Sequence, residues 1–109
     1  MLHGKNITSR WQMMTLAEQM GNIGSEFGRT TFWLSKDAKK EAEMSLARLL
    51  ELLDLSIADL RWTGRRGEFL RLRELVCDVY HGGDFYNTTG AQLNNYFLPF
   101  AILARKKYA

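Results

Sequence analysis

The chain has 109 residues, 46% of them hydrophobic and 25% charged, with a formal net charge of +3. That describes one soluble domain with a single core, and its three tryptophans argue against a disordered chain. The single cysteine, Cys77, excludes an internal disulfide, and the longest apolar run, Tyr96 to Ala104, falls far short of the ~20 residues of a membrane span. Met1 to Thr8 is short and polar, unlike a secretory leader, so a cytoplasmic protein with no membrane partner is expected.

The first predicted helix runs from Arg10 to Leu34, with Thr8 or Ser9 as its N-cap. Its apolar residues Met13, Leu16, Met20, Ile23, Phe27 and Leu34 recur at helical spacing. Beside them runs a stripe of small residues, Ala17, Gly21, Gly24 and Gly28. Each glycine inside a helix costs about 1 kcal/mol against alanine, and close approach of another helix would offset it. Ser35 offers a cap for a second helix, Lys36 to about Leu55, with Asp37 in its first turn. Its buried face reads Ala38, Ala42, Ser45, Leu46, Leu49, Leu50 and Leu53, and the small members of that face are expected against Gly24 and Gly28. Residues 56–61 could extend this helix or form a separate turn.

A third helix is predicted from about Arg65 to His81, with a seam of Phe69, Leu72, Val76 and Val79 and a stop at Gly82-Gly83. Thr89 and Gln92 have the spacing of a capping box for a fourth helix, Gly90 to Lys106. Because Tyr96 to Ala104 is apolar throughout, this helix must be central or be covered on its outer face by a second subunit.

Charge is uneven along the chain. Residues 1–60 carry seven basic and eight acidic groups, net −1, and residues 61–109 carry eight basic and four acidic groups, net +4. Arg61, Arg65, Arg66, Arg71 and Arg73, with Trp62 among them, form a candidate nucleic-acid or phosphate surface, since arginine forks suit phosphates and an aromatic can stack on a base. The alternative is a set of intrahelical ion pairs such as Glu68 with Arg71. Glu74, Asp78 and His81 share one helix face with Cys77 and could hold a metal, or, with Asp84, Tyr86, Asn94 and Asn95, line a small polar cleft. Only two histidines are present, and His3 lies in the N-terminal arm. No nucleophile elbow, phosphate loop, paired CxxC or HExxH occurs, so no catalytic residue and no cofactor is assigned.

Three stretches, LLDLSIADLRW (52–62), RLRELVCDVYHGG (71–83) and LNNYFLPFAILARKK (93–107), resemble a group of small uncharacterised prokaryotic all-helical proteins. A more distant similarity is to HEPN-type four-helix domains, which bind RNA or partner with nucleotidyltransferases. Their signature is an arginine and a histidine separated by four to six residues. Arg73 and His81 are separated by seven, so no site is carried over.

Together these features predict an all-α, up-down-up-down four-helix bundle formed by residues 1–109 as one domain. The expected role is that of a non-catalytic interaction protein. It would act as a homodimer through the fourth helix or the Ala17–Gly28 face, with a further protein partner open. The alternative is an RNA- or nucleotide-binding module using the basic surface of the third helix.

Overall fold

The computed structural model describes residues 5–83 and 85–106. These residues are all helical in architecture. There are five α-helices, α1 (Lys5–Met13), α2 (Leu16–Ser35), α3 (Lys39–Ile57), α4 (Arg66–Tyr80) and α5 (Gly90–Lys106), and a 3-10 helix, Leu60–Arg65, between α3 and α4. The predicted first helix is therefore two helices, and Thr8 and Ser9 lie inside α1 rather than at a cap.

The break is local chemistry. Thr15 accepts from the backbone N–H of Glu18 at 3.1 Å and donates its own N–H to the Glu18 carboxylate at 3.0 Å, a reciprocal capping box that starts α2. α1 then folds back so that Trp11 is buried and Met13, the expected first member of the seam, is 84% exposed. α2 also runs on through Ser35, and Asp37 takes a left-handed φ of 56° in the turn, so neither residue plays its expected part in starting α3. α3 begins after Ala38 without a side-chain cap.

Other boundaries agree with the local signals. Gly82 and Gly83 adopt φ of 115° and 76° after α4. Thr89 and Gln92 exchange hydrogen bonds of 2.9 and 3.1 Å at the start of α5. The undecided stretch 56–61 resolves as the end of α3 followed by the 3-10 helix, whose start is capped by Asp59.

α2 is the hub. It packs along α3 on one side and along α5 on another, and α4 lies mainly against α3. The core unites Trp11, Met20, Ile23, Phe27, Leu49, Leu53, Phe69, Leu72, Val76, Leu93 and Phe97. α5 is thus not central: only Leu93 and Phe97 of this helix are fully buried.

A polar network ties four segments together at the junction of α1, α2, α3 and the 3-10 helix. The buried Gln19 amide donates to the Trp11 carbonyl at 2.7 Å and to Asp59 at 3.1 Å, and its oxygen accepts from Ser56 at 2.8 Å and Trp62 at 2.9 Å. The Trp11 indole donates to the Ser56 hydroxyl at 3.0 Å. Asp59 pairs with Arg61 at 2.8 Å. That guanidinium outweighs burial and holds the Asp59 carboxyl below its ordinary range, so this stabilisation is present at neutral pH and lost as acid protonates the group.

Gly21 and Gly24 of the glycine stripe meet α5, not the small residues of α3. A Cβ on Gly21 would lie 3.5 Å from the Ala101 backbone, one on Gly24 would lie 2.7 Å from Cβ of the buried Phe97, and one on Gly28 would meet nothing within 4 Å. Gly24→Ala is therefore expected to destabilise the fold by about 1–3 kcal/mol, while Gly28→Ala stabilises it by up to about 1 kcal/mol; urea unfolding of the two variants checks the opposite signs.

A second prediction concerns the network. Gln19→Glu places a carboxylate oxygen against the Trp11 carbonyl and the Asp59 carboxylate. Both oppose ionisation and raise the new group's pKa, so the variant is stable while protonated and loses stability as pH rises. The gap in melting temperature to the natural protein should widen between about pH 5 and about pH 8, and a constant gap would refute the assigned geometry.

Candidate functional surface

The five arginines of the predicted basic surface do not converge. Arg61 lies over the Trp62 ring at 4.5 Å while gripping Asp59. Arg65 pairs with Glu68 at 3.3 Å, and Arg66 reaches back to the Ile57 carbonyl at 3.3 Å. Arg73 crosses to Asp54 on α3 at 2.9 Å, a hydrogen bond that holds it more firmly cationic. Arg71 lines a cleft together with residues of α5 and lies 5.2 Å from the centre of the Tyr86 ring. Three of the five thus have carboxylate partners, and one of those, Asp54, lies on a different helix that spacing within α4 could not reveal.

The acidic candidates have a structural task. Asp78 accepts the backbone N–H groups of Phe85 and Tyr86, both at 3.0 Å, and Glu74 accepts the Tyr86 hydroxyl at 2.8 Å. The bond to Glu74 raises the Tyr86 pKa, so the phenol stays protonated. Together they fasten the α4–α5 connection to α4. His81 is elsewhere, edge-on to Tyr80 at 5.1 Å and in a hollow with Leu34, Asp37, Ala38 and Lys39. Asn94 and Asn95 line a groove against α2, so the polar cleft expected from Asp78, His81 and the two asparagines is not assembled. Among the described residues no group of three or more His, Cys, Asp and Glu side chains is placed to hold a metal. Asp84 and His3, two more of the expected polar residues, lie outside the described residues. Cys77 is a half-buried free thiol.

The outer side of α5 carries exposed apolar side chains. Leu98, Ile102 and Leu103 are 51%, 44% and 56% exposed on a helix whose opposite side is packed on α2. Leu98 and Ile102, four apart, share one stripe, and Leu103 shares another with the exposed Pro99 four residues before it. Beside Leu98, along the seam with α2, run two adjoining hollows of about 440 and 310 Å³ that share Gly21, Ser25 and Ala101. Ala17 lies earlier on α2 and is half-buried. The groove follows from the glycine contacts, since the small residues that admit α5 also leave the seam shallow. No helix among the described residues is long and apolar enough to cross a membrane.

If Asp78 fastens the loop, Asp78→Ala should raise the amide hydrogen-exchange rates of Phe85 and Tyr86 at least about tenfold and cost about 1–3 kcal/mol in stability. Unchanged protection at those two amides would contradict it.

Compared with protein-family models, curated proteins and solved structures, the chain matches none.

Proposed function

We propose that this chain is a non-catalytic helical interaction protein that pairs with a second copy through the outer side of α5, with α2 to α5 serving as an up-down four-helix unit and α1 folded against it. The observation that carries the reading is the exposed Leu98, Ile102 and Leu103 surface. Several large apolar side chains exposed along one helix of a small domain are typical of a contact surface. The other face considered for pairing, Ala17 to Gly28, is in large part used within the chain, because α5 covers Gly21 and Gly24. That leaves α5 as the interface, and a two-fold pairing of like surfaces is the simplest closed arrangement. A free Cys77 suits a reducing, cytoplasmic setting.

The nucleic-acid reading draws less support. Asp59, Glu68 and Asp54 neutralise three of the arginines that motivated it, and exposed pairs of this kind leave little net field for a polyanion.

Light scattering at tens of micromolar should give twice the 12.6 kDa chain mass for the natural protein and the single chain mass for the Leu98→Glu, Ile102→Glu double variant, with unchanged circular dichroism. A strict monomer for the natural protein overturns the proposal.

A further inference from the structure

Across the gap between α4 and α5 the Tyr96 hydroxyl donates to Glu68. Below it lies a cleft of about 340 Å³ whose wall is almost wholly apolar, floored by Leu72, Leu75 and Leu93 and flanked by Tyr96. Leu72 and Leu93 belong to the core, so the cleft opens directly onto it. This volume falls in the range of small-molecule sites.

Two charged groups stand at the mouth, and they differ in kind. Glu68 is spent: one oxygen accepts from Tyr96 and the other pairs with Arg65. Burial first, then the bond to Glu68, pushes Tyr96 far above its ordinary pKa, so it stays a neutral donor to that carboxylate. Arg71 has no ion pair among the described residues. Its guanidinium carbon lies 5.2 Å from the centre of the Tyr86 ring, whose hydroxyl donates to Glu74. A guanidinium that no carboxylate engages can present two parallel N–H donors to a bidentate acceptor.

We propose that this cleft binds a small amphiphilic carboxylate of about ten non-hydrogen atoms in all, with the anionic head on Arg71 and the apolar body over Leu72, Leu75 and Leu93. The size follows from the cavity, since each water-sized group takes roughly 30 Å³. The charge follows from Arg71, which has no ion pair among the described residues, beside a Glu68 paired with Arg65, while Glu74 and Asp78 are engaged by the Tyr86 hydroxyl and the loop amides. This site is separate from the α5 surface proposed for pairing.

Octanoate, with ten non-hydrogen atoms, is the probe, and octylamine is its charge-reversed control. In a nuclear magnetic resonance titration of the full chain, octanoate should shift the Gly67, Thr88 and Gln92 amides saturably, with a Kd near or below ~1 mM, and octylamine should bind at least about tenfold more weakly. Arg71→Gln should weaken octanoate at least about tenfold. Gly67→Leu should block it with the fold intact, because a Cβ at Gly67 meets nothing within 4 Å. The Leu98→Glu, Ile102→Glu variant should bind octanoate as the natural protein does, which separates this site from the pairing proposal. No saturable shift at these amides, or equal affinity for octylamine, overturns the inference.

Discussion

The amide of Gln19 sits where α1, α2, α3 and the 3-10 helix meet, and all four of its hydrogen-bonding positions are used there. A buried amide left half-paired would cost more than an apolar side chain in the same place. Here each partner is held by another. Ser56 accepts from Trp11 while donating to Gln19, and Asp59 is anchored by Arg61. The network therefore specifies one arrangement of four segments, where apolar contact alone would tolerate several. It also explains why α1 turns back at Thr15, since only a broken helix delivers the Trp11 carbonyl and indole to this point.

From that anchored end, α2 carries the rest of the molecule. Its Met20, Ile23 and Phe27 seam supplies the core, and its glycines set how near α5 can come. Phe97 lies over Gly24 and its ring sits 5.8 Å from that of Phe27, so one helix offers both a bulky wall and a missing one. Packing α5 so closely on α2 uses only one side of it. The remaining leucines and isoleucine are left facing outward, and they are what makes an interaction role the best-supported reading.

The charged residues show how far formal charge is from presented charge. The second half of the chain is net +4, yet Arg61, Arg65 and Arg73 are engaged with carboxylates, while Asp78 and Glu74 are occupied with the loop beside Tyr86. Arg71 differs in having no ion pair among the described residues and the Tyr86 ring beside it. The proposed carboxylate site rests on that cation beside an apolar cleft, whereas a cation beside a carboxylate is mostly a strut.

What was legible in the sequence was local. The seams of α3 and α4, the Gly82-Gly83 stop, and the Thr89–Gln92 box were all readable, because helical periodicity and capping involve residues within one or two turns. Thr15 and Glu18 carried an equally readable box, but the unbroken apolar period from Met13 to Phe27 masked it. Tertiary structure alone decided which helix met the glycines, which carboxylate met each arginine, and that Gln19, Ser56, Asp59 and Trp62 converge. Those pairings join residues 37 to 43 positions apart in the case of Gln19. Spacing along a chain encodes which face a residue occupies, and not which other face will be pressed against it.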